Sequence, residues 1–149
     1  MNKNFTYIIR SNDREDLDEN TNNCTIKLYG LPQQYRYFKC DVIALYITNV
    51  NEVFTTSLID LRADGIDIMN GWDTKNKRNA TVGFATLNNT YPQAAPHTFT
   101  CSNFNGRTVS FKLYDDENQL LESDFNAFGV MPYNKAWVLV LNMTGIENE

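Results

Sequence analysis

The sequence predicts an all-β protein, because apolar and polar residues alternate with a period of two along most of the chain. Two further observations define the architecture. Turn-forming dipeptides and proline-bearing segments separate the alternating runs, and the predicted strands follow one another at intervals of roughly 10–20 residues. Together they predict a two-sheet antiparallel β-sandwich, a single jelly roll of about eight strands, in one domain over residues 1–149.

The half-buried strands have the simplest pattern. Every other residue is apolar in 5–10 (FTYIIR), in 24–29 (CTIKLY) and in 108–113 (TVSFKL). Such alternation turns one set of side chains toward the core and the other toward solvent, so each segment is predicted as a strand. Three further strands with weaker patterns are predicted at 53–61, 81–87 and 97–101.

Two more predicted strands are apolar on both faces, namely 40–48 (CDVIALYIT) and 137–143 (WVLVLNM). A strand of this kind lies in the middle of its sheet or is covered by a neighbouring subunit. Both alternatives are open at this point. The run that begins at Trp137 is our candidate for a surface that a neighbour covers.

The predicted connections are polar or carry turn residues. A polar, acidic loop covers 12–23 (NDREDLDENTNN), and 88–96 (NNTYPQAAP) is a proline-bearing loop. Helical periodicity is weak throughout the chain. A short turn of helix is allowed only at 58–62 and at 123–128.

Charge and cysteine content exclude several classes of protein. The net charge is −5 and the 13 Lys and Arg residues are scattered, whereas a phosphate-backbone binder needs a clustered basic stripe, so we predict no nucleic-acid partner. No run of roughly 18 apolar residues occurs, so we predict no membrane span. Cys24, Cys40 and Cys101 form no CxxC pair, and without a secretory signal we expect reduced thiols in a cytosolic-type compartment.

Catalytic patterns are weak. His97 is the only histidine, and it shares strand parity with Phe99 and Cys101, which favours a structural role. One histidine cannot make a two-histidine metal site, and no nucleophile elbow accompanies it. We therefore predict that the chain is not an enzyme, with no catalytic residue and no cofactor.

The acidic loop matches a calcium-binding pattern only in part. Asp16, Asp18 and Asn20 fit the first three ligand positions of the twelve-residue calcium loop. Thr21 then stands at the sixth position, where the loop needs Gly, and Lys27 stands at the twelfth, where it needs Glu. We predict a solvated loop and no metal site, with weak calcium binding as the alternative.

Aromatic residues are the most suggestive group for a binding surface. The candidate interface residues are Tyr35, Tyr37, Trp72, Tyr133 and Trp137. Exposed aromatic side chains anchor protein interfaces or stack on sugar rings, whereas buried ones fill the core. All three alternatives are open for this set.

The layout of the strands carries a resemblance to a known group of proteins. The C-terminal part reads 106–121 (GRTVSFKLYDDENQLL) and then 136–147 (AWVLVLNMTGIE). The front half has a short first strand at 5–11 (FTYIIRS), then 24–32 (CTIKLYGLP) and the long apolar strand 40–50 (CDVIALYITNV). This order resembles the small single-jelly-roll penton and minor capsid proteins of large eukaryotic DNA viruses and of virophages.

The resemblance implies a structural protein of the viral capsid that assembles through the edges and loops of its jelly roll. It implies other capsid proteins as partners, either in a homo-oligomer, of which a pentamer is one form, or in a hetero-assembly with the major capsid protein. It further implies a protein that is made in the host cytoplasm and located in the virion.

The alternative function is a carbohydrate-binding, lectin-like β-sandwich that takes part in attachment. Trp72 with its neighbours Asn70 and Asp73 offers the minimum pattern for stacking on a sugar and hydrogen bonding to it. An enzyme would be reconsidered if a pocket joined His97 to an acidic residue.

Overall fold

The computed structural model describes residues 3–17, 21–47, 58–69, 80–88, 91–94, 97–115, 118–120 and 137–147. Within them the chain forms β-strands and one short 3-10 turn, Ser11–Asp13, which directly follows the first strand. The strands are β1 (Asn4–Arg10), β2 (Asn23–Lys27), β3 (Tyr37–Ile47), β4 (Leu58–Asp64), β5 (Thr81–Asn88), β6 (Tyr91–Ala94), β7 (Thr98–Ser102), β8 (Thr108–Tyr114) and β9 (Trp137–Ile146).

The strands form two sheets in which every pairing is antiparallel. The four-stranded sheet has the order β1-β9-β3-β7 and the five-stranded sheet has the order β2-β8-β4-β5-β6. Apolar side chains fill the space between the sheets, where the rings of Phe111 on β8 and Trp137 on β9 have centroids 5.3 Å apart. The sheets approach closely at Gly83 on β5, because an added Cβ there would lie 3.1 Å from Cδ1 of Leu139. The predicted all-β, two-sheet antiparallel sandwich is confirmed.

The period-two pattern of the sequence is the pattern of burial along the strands. On β8, Val109, Phe111 and Leu113 are buried, and the residues between them are half-buried. Each such side chain contributes about 1.5–3 kcal/mol when it leaves water for the core. β9 in the other sheet shows the same alternation, so the core is built from the inner faces of both sheets.

The two strands that are apolar on both faces, β3 and β9, are both interior strands. β9 lies between β1 and β3, and β3 lies between β9 and β7. A β-bulge interrupts β3, where Ile43 is the extra residue between Val42 and Ala44. The bulge shifts the alternation by one residue, so Leu45 beyond it still turns into the core.

β4 corrects one expectation. A turn of helix was allowed at 58–62, but the segment is extended from Leu58 to Asp64. Ile59, Leu61 and Ala63 are all buried at alternate positions, whereas a helix would turn Leu61 to the side opposite Ile59 and Ala63.

A short strand, β6, adds to the predicted set. It lies within the predicted loop 88–96 and pairs with the end of β5 as an antiparallel hairpin. The stretch 123–128, where a turn of helix was also allowed, lies outside the described residues. No helix in the described ranges is long and apolar enough to cross a membrane.

Candidate interaction surface

Trp137, the aromatic residue that begins β9, belongs to the core. Its side chain is fully buried, and its indole Nε1 donates a hydrogen bond of 2.7 Å to the carbonyl oxygen of Thr21. Its backbone N–H donates to Oγ of Ser11 at 2.9 Å. Both partners are buried as well. Trp137 therefore joins the start of β9 to Ser11, just before the acidic loop, and to Thr21 near the end of that loop, and its buried side chain is not on a surface that a partner could contact.

Tyr35 is also a core residue, because its ring covers Gly145 on β9. A Cβ built at Gly145 would lie 2.5 Å from Cγ of the Tyr35 ring, so only glycine leaves room for the ring. The ring also meets Phe38 edge-on, with centroids 5.9 Å apart. Tyr35 and Gly145 are far apart in sequence, so no local pattern could have predicted this contact.

Tyr37 is the candidate aromatic residue that the structure places at the surface. It begins β3, is half-buried, and lies 5.9 Å below the guanidinium of Arg36. It lines a shallow groove of about 340 Å³. The other residues of this groove are Gln33, Tyr35, Arg36, Ser102, Asn103 and Asn105. Trp72 and Tyr133 lie outside the described residues.

The loop after β7 holds the wall of this groove in place. Nδ2 of Asn103 donates hydrogen bonds to the carbonyl oxygens of Pro32 at 3.0 Å and Tyr35 at 2.8 Å. Oδ1 of Asn105 accepts a hydrogen bond of 3.0 Å from the backbone N–H of Leu31. The two amides thus tie the loop to the segment before β3, which gives the groove a fixed shape.

The outer face of the four-stranded sheet carries exposed apolar side chains. We define the outer apolar patch as Ile8, Ile43, Ala44, Tyr46, Val138 and Val140. Val140 on β9 pairs with Ile8 on one side and with Ala44 on the other, and Val138 pairs with Tyr46. Ile43 and Tyr46 are each 60% exposed and Ile8 is 42% exposed. The apolar runs of β3 and β9 therefore turn one apolar face toward the core and place an apolar patch on the solvent side, next to the polar pair Asp41 and Asn142.

The outer face of the five-stranded sheet is charged instead. The Asp60 carboxylate, only 4% exposed, accepts hydrogen bonds from Oγ1 of Thr81 at 2.7 Å and from Nε of Arg62 at 2.9 Å. The Arg62 guanidinium also lies 4.0 Å above the ring of Tyr114. A groove of about 310 Å³ beside this pair is lined by Arg62, Ala63, Asp64, Ala80, Ser110, Lys112 and Tyr114.

His97 contacts a backbone group at the rim of the sandwich. Its Nε2 lies 3.2 Å from the carbonyl oxygen of Thr81, and its ring packs between Phe84 and Phe99, with centroids 5.1 and 5.9 Å away. Asp60 reaches the hydroxyl of Thr81 and not the imidazole. The imidazole of His97 therefore contacts a backbone carbonyl.

The three cysteines are free thiols in the core. Sγ of Cys40 on β3 lies 3.8 Å from Sγ of Cys101 on the neighbouring β7. The contact with the Cys101 thiol, together with burial, raises the pKa of Cys40 above its ordinary value. A protonated, buried thiol is a poor nucleophile, so the pair has the properties of core packing.

The acidic loop lies partly outside the described residues. Of the calcium-like pattern, Asp16 is described, whereas Asp18 and Asn20 are not. Among the described residues, no three His, Cys, Asp or Glu side chains lie close enough together to hold a metal ion. Arg14 organises the described part, where its guanidinium donates to the carbonyl oxygens of Ser11 at 3.1 Å and Leu17 at 3.0 Å.

Comparison of the chain with known protein families, with curated proteins and with solved structures finds no match in any of the three.

Proposed function

We propose that this chain is a structural protein of a viral shell, a single jelly roll of the penton or minor capsid type that works by assembly and not by catalysis. In this proposal its partners are further copies of itself or the major capsid protein. It is made in the host cytoplasm and resides in the virion. The outer apolar patch is the observation that carries the proposal.

The strand order supports a jelly roll. In that fold two Greek keys wrap around each other, so strands from the two ends of the chain become neighbours. Here β1 pairs with β9 in one sheet, and β2 pairs with β8 in the other. The remaining strands continue the same interleaving, as β3-β7 and β4-β5. β6 is then an added strand at the edge of the five-stranded sheet.

The outer apolar patch supports assembly. An antiparallel sheet with a solvated outer face normally carries polar residues there, whereas a contiguous apolar patch marks an interaction site. In this sheet the first two outward positions of β9 are Val138 and Val140, flanked by Ile8 and Tyr46, and the next two, Asn142 and Thr144, bound the patch with polar side chains. A neighbouring subunit that covered the patch would remove these side chains from water, which is the main driving force of protein association.

The contacts of His97 support a non-enzymatic role. A general base needs a reacting group within reach and a partner that orients its ring. The imidazole meets a backbone carbonyl and two aromatic rings instead.

The native mass of the chain tests the proposal. A closed ring of five 17.2 kDa subunits would have a mass of about 86 kDa by light scattering or native mass spectrometry. The variant carrying Ile43→Asp and Tyr46→Asp should lose this assembly, because it places two carboxylates in the patch. Lys39→Gln is the matched control, since Lys39 is exposed on the outer face of the same strand. A wild-type monomer would contradict the self-assembling penton form.

The alternative, a lectin-like module that binds carbohydrate, has one observation in its favour. The groove at Tyr37 combines an aromatic ring with amide and guanidinium groups, which is the chemistry that recognises sugars. A glycan array tests it directly. Binding that Tyr37→Ala abolishes, in a protein that is monomeric, would favour the lectin over the shell protein.

A further inference from the structure

The four edge strands of the sandwich differ in how they are protected. The edges are β1 and β7 in the four-stranded sheet, and β2 and β6 in the five-stranded sheet. An open edge presents unpaired N–H and C=O groups to any other strand, so most proteins block their edges with short strands, prolines, charges or covering segments. Three of the four edges here have such protection.

The segment 67–69 covers the edge of β7. The N–H of Met69 donates to the carbonyl oxygen of Thr100 at 2.8 Å, and the N–H of Ser102 donates to the carbonyl oxygen of Asp67 at 3.0 Å. An isolated bridge between Ile68 and Cys101 completes this contact. Two backbone groups of β7 that point away from β3, the carbonyl of Thr100 and the N–H of Ser102, are therefore already used.

The two edges of the five-stranded sheet are protected in other ways. β2 is five residues long, and the N–H of Glu15 donates to the carbonyl oxygen of Thr25 at 2.9 Å on its outer side. β6 is only four residues long, and it contains Pro92, which has no amide hydrogen to donate.

Among the described residues, none of these features protects β1. It is seven residues long, its only charged residue is Arg10 at its end, and it pairs with β9 without a bulge. In the part of the chain that the structure describes, β9 is its only strand neighbour. A strand that is long and regular and has no charge in its interior is the kind that pairs with another chain.

The hydrogen-bond pattern shows which backbone groups of β1 face outward. The N–H of Gly145 donates to the carbonyl oxygen of Lys3 at 2.9 Å, so Lys3 directs its carbonyl toward β9. Backbone direction alternates along an antiparallel strand. The N–H and C=O groups of the even-numbered residues therefore point to the open side. These residues are Asn4, Thr6, Ile8 and Arg10, and all four are exposed.

We infer that β1 is an assembly edge, through which two copies of this chain join antiparallel into one continuous sheet. A two-fold axis at Tyr7 pairs Thr6 of one copy with Ile8 of the other, and Asn4 with Arg10. Each pair brings together two residues whose backbone groups point to the open side, as the ladder requires. The two four-stranded sheets would then form a single eight-stranded sheet.

A second copy fits this edge because the strand is complementary to itself in that register. Arg10 lies opposite the neutral amide of Asn4, so the two arginines of the pair do not meet. Phe5 lies opposite Ile9 on the core side, which extends the core across the axis. Ile8, which is 42% exposed in the single chain, is covered on the outer side.

The aromatic residues at the edge are already held in place for this contact. The ring of Tyr7 meets Phe104 edge-on at 5.8 Å between centroids, and its hydroxyl donates to the carbonyl oxygen of Tyr29 at 2.7 Å. Phe5 meets Phe38 in the same way at 5.9 Å. Little side-chain freedom therefore remains to be lost when the two edges meet, which favours association.

The test removes one backbone N–H of β1 that points to the open side and leaves the hydrogen bonds between β1 and β9 in place. Thr6→Pro deletes the N–H at a position where it does not bond to β9, and proline is tolerated on the solvent side of an edge strand. Thr6→Ala is the matched control, because it keeps the N–H and loses only the side chain. By sedimentation, wild type and Thr6→Ala should have twice the mass of Thr6→Pro, because each β1 contact joins two copies, and the far-UV circular dichroism spectrum of Thr6→Pro should be unchanged. Where β1 is the sole contact between copies, these species are a dimer and a monomer of 17.2 kDa.

A second variant serves if Thr6→Pro does not fold. Ile8→Lys changes an exposed side chain and places a charge beside the axis in each copy, so it should also give a monomer. A monomeric wild type at about 100 μM, well above the Kd of a micromolar complex, or a dimer that survives both variants, would overturn the inference.

The inference rests on the geometry of β1 and does not depend on the proposed shell function. A ring of five subunits that Thr6→Pro leaves intact would overturn pairing at β1 and still support the shell protein. If Thr6→Pro dissociated a dimer and the chain bound glycans, the result would support pairing at β1 and contradict the shell protein.

Discussion

The two outer faces of the sandwich have the same backbone geometry and opposite chemistry. On the five-stranded sheet the outward positions of β4 hold Asp60 and Arg62, which bond to each other at 2.9 Å. On the four-stranded sheet the first two outward positions of β9 hold Val138 and Val140, followed by the uncharged polar residues Asn142 and Thr144. Alternation along a chain segment therefore identifies a strand, and the residue types at its outward positions distinguish a charged face from an apolar one.

The difference has an energetic side. A buried carboxylate is stable only when hydrogen bonds and an opposite charge replace the water that it has lost. The charged face provides both, through Thr81 and Arg62. The apolar face has no such internal compensation, so burying it against a neighbour lowers its free energy.

The largest expected effect comes from Asp60→Ala on the charged face. Removing the carboxylate leaves Arg62 and the Thr81 hydroxyl without this acceptor, so we expect the free energy of unfolding to fall by about 3 kcal/mol. The measurement is urea denaturation of the monomer. Tyr46→Ser on the apolar face is the comparison, and it should change the free energy of unfolding by less than about 0.5 kcal/mol, because this side chain is 60% exposed.

Asp60→Asn separates charge from hydrogen bonding at the same site. It keeps the shape and one acceptor oxygen, so we expect a smaller loss of about 1–2 kcal/mol. If Asp60→Ala cost no more than Tyr46→Ser, the buried pair would contribute nothing, and the energetic contrast between the two faces would be refuted.

An intermediate effect is expected from pH, in the core beneath the apolar face. Contact with Cys101 and burial raise the pKa of Cys40 above the ordinary thiol value of 9.0. Above about pH 9 the unfolded chain therefore loses this proton while the folded chain keeps it, and stability falls as the pH rises. The slope for one such thiol is about 1.4 kcal/mol per pH unit.

Cys40→Ala is the control for this slope. Unfolding measured between pH 8 and pH 10.5 should show a steeper decline for wild type than for the variant. Part of the decline should remain, because burial also raises the pKa of Tyr7. Identical slopes in the two proteins would mean that Cys40 titrates alike in the folded and unfolded chains, which contradicts the expectation.

The elements that the sequence predicts well are those with clean local patterns. The alternation in β1, β2 and β8 identified all three strands, and the two-faced apolar runs identified β3 and β9, for which an interior position was one of two open alternatives. β6 was missed because proline and asparagine favour loops, and its strand form depends on pairing with the end of β5. The bulge at Ile43 was missed because it depends on the register with β9.

The sequence predicts that β9 has two apolar faces, but not which of its residues face outward. The two-faced pattern of β9 predicts a face that a neighbouring subunit covers, and Trp137 is the candidate residue on that face. The structure turns Trp137 inward and exposes the next outward positions, Val138 and Val140. Parity along a strand can be read from sequence, but which parity faces the core depends on the opposite sheet. The packing of Tyr35 over Gly145 is likewise tertiary.

The smallest expected effect concerns an ion pair that has the same charges as Asp60–Arg62 but lies in solvent. Nη1 of Arg107 is 3.3 Å from Oδ2 of Asp67, and their side chains are 48% and 70% exposed. Water and salt screen such a pair, so Asp67→Asn should change the free energy of unfolding by less than about 0.5 kcal/mol. The same urea experiment at low and high salt measures it. A loss as large as that of Asp60→Ala would show that charge pairing stabilises this protein regardless of burial, and the contrast between the two outer faces would then need another cause.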